Sequence, residues 1–267
     1  MPTPFTGPLL GGNGDDGGEP ALVPNLFYMH SFSDKWSAGI GITAPNGLAT
    51  EYDSGWVGRY YGLRSELATL NINPSVAYKI NDQWSLGVGV SFERAEAELT
   101  SAIDWGTGLA VAEVPGFTPQ GFDGTVKIEG DDWGYGANIG LIFEPLAGTR
   151  LGLHYRSKID HTLEGDATFN TPAAVLATGV PQSRGRIDTS ASAEVSLPET
   201  VSLSAYHAFN DRWAILADAT WTKWSRLEEL RVKYGNGAEE ENLGKGALIG
   251  EYDASIDIIS AAVSFQF

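Results

Sequence analysis

Four alternate residues, His154, Arg156, Lys158 and Asp160, stand where a regular β-strand would put them on one face. Two cations at that spacing, Arg156 and Lys158, can clamp a carboxylate through charge-assisted hydrogen bonds. The competing reading is a structural network in which these cations pair with Asp160 and Glu164. A second chemistry comes from apolar residues in irregular surroundings. Trp105, Leu109, Val111, Val114, Phe117 and Phe122 occupy a stretch broken by Pro115 and Pro119, and Val175, Leu176 and Val180 follow Pro172 in another. Greasy side chains in water-facing loops suit a groove for a hydrophobic ligand. The alternative is that the loops pack on each other as a lid. Neither a G-x-S-x-G elbow, an H-E-x-x-H helix nor a P-loop occurs. His30, His154, His161 and His207 lack metal-ligand spacing, and His154 and His161 fall on opposite faces of a regular strand. No enzyme activity, metal or cofactor is expected. A Ser/His/Asp set assembled across strands, as in an outer-membrane lipid hydrolase, is the least favoured reading.

The elements that must position these residues are strands. Ser33-Asp34-Lys35-Trp36, Asn81-Asp82-Gln83-Trp84 and Asn210-Asp211-Arg212-Trp213 are three similar polar turns, and Glu144 to Arg150 is a looser fourth. Each joins two stretches of alternating apolar and polar residues, and long Gly- and acid-rich segments separate the pairs. Short turns alternating with long loops are the pattern of an antiparallel transmembrane β-barrel. Strict alternation gives nine strands. Trp84, Leu86, Val88, Val90 and Phe92 oppose Ser85, Gly87, Gly89, Ser91 and Glu93. The sixth strand is read as alternating without a break from Arg150 to Glu164. Pro74 cannot donate to a ladder, so a bulge or kink is expected there. A tryptophan directly after a turn suits the membrane–water interface, which assigns Trp36, Trp84 and Trp213 to that boundary, together with Trp133 and the terminal Phe267. Such a barrel has its apolar face in lipid and its small, polar face inward; a soluble barrel has the reverse.

The 267 residues carry a formal net charge of −17 and no cysteine. A basic stripe for nucleic acid is therefore missing, and disulfides and thiolate metal sites are excluded. No run of ~18 apolar residues exists, so no transmembrane helix is expected; a strand barrel remains open because lumen-facing residues dilute hydropathy. Met1 to Asp16 has neither Lys nor Arg and no apolar core, so it does not read as a signal peptide.

Several segments resemble the FadL-type long-chain fatty-acid transporters: Ala21 to His30, Thr50 to Asp53, Trp56 to Tyr61, Leu70 to Tyr78, Trp133 to Gly136, Gly152 to Lys158, Leu163 to Asp166, Leu197 to Thr200, Asn210 to Trp213, Trp221 to Trp224 and Leu227 to Arg231. The resemblance implies a fourteen-stranded barrel with an internal plug, capture of acyl chains by apolar outer loops, and sideways exit through a gap in the wall. It also implies localisation in the cell outer membrane and contact with outer-membrane lipid and the barrel-assembly machinery. A monomer binding a long-chain fatty acid or another hydrophobic compound is expected, by passive diffusion. The departures are the missing plug and first strand and about four strands missing after Tyr234. The expected organisation is a remnant loop over 1–20 and an incomplete barrel over 21–267, with long loops at about 47–64, 101–124, 170–186 and 235–251. Nine strands closed on themselves would pair first and last in parallel, which single-chain bacterial barrels avoid. The chain therefore reads as a truncated or miniaturised relative, and a non-transporting surface barrel is the alternative function.

Overall fold

The computed structural model describes residues 8–18, 20, 23–226, 229–237, 250–251 and 256–265. Phe267 lies outside them. Four hairpin turns set the register. At three, the first turn residue offers a side-chain oxygen to the backbone N–H groups two and three residues on. Ser33 Oγ accepts from Lys35 and Trp36 (3.3 and 3.1 Å). Asn81 Oδ1 accepts from Gln83 and Trp84 (both 2.9 Å), and Asn210 Oδ1 from Arg212 and Trp213 (2.9 and 3.0 Å). The side chain thus mimics a backbone turn, which is why Ser and Asn interchange at this position. In the fourth turn Gly148 has φ of 79°, a conformation open to glycine without steric cost.

The strands are β1 (Leu26–Ser31), β2 (Trp36–Thr43), β3 (Gly47–Glu51), β4 (Arg64–Lys79), β5 (Trp84–Asp104), β6 (Asp123–Leu146), β7 (Thr149–Arg156), β8 (Ile159–Asn170), β9 (Thr189–Leu197), β10 (Thr200–Ala208), β11 (Trp213–Thr222), β12 (Glu229–Leu230), β13 (Val232–Tyr234), β14 (Gly250–Glu251) and β15 (Ile256–Phe265). The main sheet runs β1-β2-β4-β5-β6-β7-β10-β11-β15, and consecutive neighbours pair antiparallel. These are the nine expected strands, several of them interrupted. β3 resumes on β4 where β2 leaves it, and β8 resumes on β6 after β7. β9 precedes β10 in the same way, and β13 follows β11 onto β9. Among the described residues β1 and β15 are not paired with each other, so the wall is open. Residues 47–51, expected in a loop, form β3, and the extension of β5 and β6 narrows the irregular segment between them to 105–122.

Pro74 interrupts one ladder and not the other. Pairing with β2 is continuous through Pro74 opposite Ile40. Pairing with β5 stops at Ile72–Phe92 and resumes at Ser75–Gly89. The register is the same on both sides, so the expected bulge is a gap instead. The Asn73 side-chain amide bridges it, donating to Val90 O and Ser91 Oγ (3.0 and 3.1 Å).

Polarity inverts along single strands. On β5 the outward residues run Trp84, Leu86, Val88, Val90, Phe92, then Arg94, Glu96, Glu98. The inward ones run Ser85, Gly87, Gly89, Ser91, Glu93, then Ala95, Ala97, Leu99. β6 follows suit: Tyr135 and Trp133 give way to Asp131, Glu129 and Lys127 on the outer face. From Phe143 to Trp133 the strand covers about 34 Å at ~3.4 Å per residue, or roughly 25 Å across a tilted wall, the height of a barrel's apolar band. Above that level the inner face is packed and dry. Val126, Ile128, Ala167, Ala191, Ala193 and Val232 form one buried cluster there, and Ala95, Leu163 and Val195 another. The expected polar inner face therefore applies to the lower half alone.

The sixth strand is where the sequence reading fails. Asn138 pairs with Arg156, but Asp131 pairs with Glu164, so Ser157 and Lys158 contain an extra residue that reverses the faces. His154 and Arg156 point inward, and so do Ile159, His161 and Leu163 above the break. Lys158, Asp160 and Glu164 face out. Arg156 and Lys158 do not share a face, and His154 and His161 do. The neighbouring strand reverses at the same height, at Pro198 and Glu199 between β9 and β10, so the two strands stay matched.

At the inversion level the inner face holds a buried polar layer. Glu93 and His161 are each 2% exposed. His161 lies between Glu93 Oε1 (3.6 Å) and Asp132 Oδ2 (3.3 Å), and the Asn71 amide donates to Glu93 Oε2 (2.8 Å). Replacing His161 by Leu removes the ring wedged between Glu93 and Asp132 and leaves the buried Glu93 with the Asn71 amide, which should cost about 1–3 kcal/mol. Adding Glu93→Leu should recover most of that loss. Thermal unfolding of the solubilised chain, followed by circular dichroism, checks both; equal loss in single and double variants would show that Glu93 is not the group at stake.

Candidate ligand-binding site

The apolar loop residues converge because both loops fold into short helical turns against the top of β5 and β6. Helix α1 (Trp105–Val111) starts where Asp104 accepts from Thr107 N (2.7 Å), a standard N-terminal cap. The same carboxylate receives Gln120 N (3.3 Å) and so folds the end of the loop back onto the helix. A Cβ on Gly106 would lie 2.3 Å from Thr118 O, so this return requires glycine. In the second loop α2 (Ala173–Leu176) and α3 (Val180–Ser183) are separated by Gly179, whose φ is 70°.

Trp105, Leu109 and Val175 are buried at the centre, with Ile103, Val114, Phe117, Phe122 and Val180 packed around them. Seven of the expected capture residues are thus brought together; Val111 and Leu176 lie outside this cluster, and Leu176 is exposed. Most of the apolar surface is spent on loop–loop packing. What remains is a cavity of about 180 Å³, lined by Ile103, Trp105, Leu109, Val114 and Val180 and reached by Asp104, Gly108, Arg184 and Arg186. An apolar void of about 150 Å³ suffices for benzene, so this one admits a ring or part of a tail. Ile103, Arg184 and Arg186 were missed in the sequence. The available signal was a pair of arginines, Ser183-Arg184-Gly185-Arg186, in a strongly acidic chain.

The loop is anchored from below. Arg59, 6% exposed, donates to Asp123 Oδ2 (2.7 Å), to Leu10 O (2.6 Å) and to the Tyr60 hydroxyl (2.6 Å), which itself donates to Asp123 (2.8 Å). Burial, then the bond to Asp123, pushes the Tyr60 hydroxyl well above the ordinary tyrosine range, so it stays a donor. Gln120 joins the segment at residues 8–10 by accepting from Leu10 N (2.7 Å) and donating to Pro8 O (3.1 Å).

A second cavity, about 410 Å³, lies on the inner face of the lower wall. Gly39, Gly41, Asn73, Ser75, His154 and Arg156 line it, and the Phe27 ring lies across Gly41. Arg156 is present without Lys158, whose ammonium is bonded to Asp160 (2.6 Å) on the outer face. Trp36 and Trp213 are about half exposed at the turn ends, where Trp36 packs on Tyr78 and Trp84 stacks on Phe143. Trp133 is at the opposite height, beside the Phe92–Tyr135 pair.

Residues 5–252 match the family described as Outer membrane protein transport protein (OMPP1/FadL/TodX). The Long-chain fatty acid transport protein of Salmonella typhi is 32% identical over 221 residues, covering 80% of this chain and 51% of that protein. Outer membrane protein P1 of Haemophilus influenzae is 28% identical over 233 residues, covering 81% and 49%. The chain spans about half the length of the curated relatives it matches. A Pseudomonas aeruginosa FadL homologue of known crystal structure superposes with a TM-score of 0.75 at 24% identity, covering 96% of this chain and 61% of that one. The Pseudomonas putida toluene transporter TodX superposes at 0.67 and 20% identity, covering 94% and 66%. These two likenesses show the fold.

Val175 has no exposed surface. Val175→Asp buries a carboxylate among Trp105 and Leu109 and should destabilise the loop pair by roughly 3 kcal/mol. Limited proteolysis is expected to cut within 171–186 in this variant while the strands stay protected; an uncut loop would mean that the cluster does not depend on Val175.

Proposed function

Because the chain belongs to the outer membrane protein transport protein (OMPP1/FadL/TodX) family, we propose that it takes up hydrophobic small molecules, long-chain fatty acids among them, by capture at its outer loops and passive diffusion along the wall. It is an outer-membrane β-barrel protein of a transport family, and no covalent step enters this reading. The observation that carries it is the cavity left open within an otherwise packed loop cluster. Enclosed apolar space at a loop surface is an incentive for a hydrophobic guest, because water gains little there. The lower cavity supports a second stop, and Asn73, whose side chain bridges the β4–β5 gap, lies on its wall, so sideways exit into lipid is read through this interrupted ladder. The names of the relatives, for fatty acids and for toluene, agree with a hydrophobic cargo.

In this reading Trp36, Trp84 and Trp213 hold one interface of the membrane and Trp133 the other. Outer-membrane lipid contacts the apolar band between them. A monomeric chain delivered by the barrel-assembly machinery completes the reading.

Gly108 separates binding from folding. It lines the cavity, and a Cβ there would meet nothing within 4 Å. Gly108→Phe should fill the void, weaken binding at least about tenfold, and leave stability unchanged or raised by ~0.5–1 kcal/mol from the loss of a helix glycine. Dodecanoate titration of the chain in lipid nanodiscs, read by tryptophan fluorescence, tests this. Undiminished affinity in a folded Gly108→Phe variant would remove the loop cavity as the capture site.

A further inference from the structure

We infer that Arg184 and Arg186, at the mouth of the loop cavity, recognise the anionic head of a single-tailed amphiphile and make this site select carboxylates over neutral hydrocarbons. The inference rests on the loop cavity being the capture site and adds the chemistry of what it takes. Both arginines reach the same 180 Å³ cavity, whose remaining wall is almost wholly apolar. Among the described residues neither makes an ion pair, although the chain has 34 acidic residues against 17 basic ones. In such a chain cations ordinarily find carboxylates, as Arg64, Arg94 and Lys127 do on the outer wall. Asp104 also borders the cavity; its Oδ1 accepts from the N–H groups of Thr107 and Gln120, and among the described residues it makes no ion pair with either arginine. Trp105, 5% exposed, adds an indole N–H with no hydrogen-bond partner among the described residues.

The backbone holds the arginines in place. Arg184 N donates to Val180 O (3.1 Å) and Arg186 N to Pro181 O (2.9 Å), and Gly185 N is tied to Gln182 O (3.2 Å). Gly185 has φ of 63°, which brings the chain round so that both neighbours reach the cavity. Burial lowers Arg186 from the ordinary guanidinium range; Tyr234 opposes this and Arg184 adds to it. Two like charges, one half-buried, therefore stand together with no ion pair among the described residues, and a bound carboxylate supplies one. A planar guanidinium pair suits a carboxylate, which it can grip through parallel hydrogen bonds. A neutral hydrocarbon would leave that repulsion in place.

Dodecanoate and 1-dodecanol share a tail and differ in the head, so their affinities for the full chain in lipid nanodiscs isolate the contribution of charge. Wild type should bind the acid at least about tenfold more tightly than the alcohol, a ratio in the range of one charge-assisted contact. In the double variant Arg184→Gln, Arg186→Gln the acid should weaken to the level of the alcohol. Alcohol binding should be unchanged, which also reports that the loops remain folded. Arg184→Lys with Arg186→Lys should keep part of the preference. An acid-to-alcohol ratio unaltered by the glutamine substitutions overturns this inference and leaves the capture site standing. Failure of wild type to bind either probe overturns both.

Discussion

A side chain on the outside of this wall must match the solvent at its own height, and that solvent changes once along each strand. From the turns up to Phe92, Trp133 and Tyr135 the outer face is hydrocarbon-like. Above them it carries Arg94, Glu96, Glu98, Glu129 and Asp131. Burial of apolar surface then has to occur on the other side, and the inner residues change accordingly from Gly, Ser and Asn to Val, Ile, Leu and Ala. The buried layer of Asn71, Glu93 and His161 sits where the two regimes meet, the one level at which the inner face is polar and dry together.

This change of regime also explains how the loops are built. The upper strands already possess a packed interior, so the loops rest on a firm base. The Arg59, Tyr60 and Asp123 bonds lock that base to the segment at residues 8–12, and α1 and α3 close over it. A cavity can stay open in such a place because its walls are held by contacts elsewhere. That is the usual condition for a preformed site, in which ordering costs are met on folding and not on binding.

Much of the architecture could be read from the residues. The three Ser/Asn-Asp-x-Trp turns announced themselves because one side chain does the same work in each, and nine strands followed from alternation. The two faces of β5 between Trp84 and Glu93 were likewise evident. The reversal at Ser157 and Lys158 was hidden: Leu151, Leu153, Tyr155, Ile159 and Leu163 stay in phase because the faces reverse at the height where the apolar side moves from outside to inside, and only pairing with β6 exposes it. Within the site, the apolar members could be named because greasy residues in loops are conspicuous. Arg184 and Arg186 were harder to single out: a pair of cations in an acidic chain is a signal, but only the fold sets them at the mouth of an apolar cavity.

The reversals at Ser157–Lys158 and Pro198–Glu199 stand side by side on adjoining strands. Against β6, which has no extra residue, the insertion at Ser157–Lys158 shifts the pairing by one and still leaves paired residues facing the same side. Against the seventh strand there is no shift, because two residues stand opposite two and the β7–β10 and β8–β9 ladders share one register. The irregularity is thereby confined to the border with β6, and the sixth and seventh strands cross the change of solvent as one continuous ribbon.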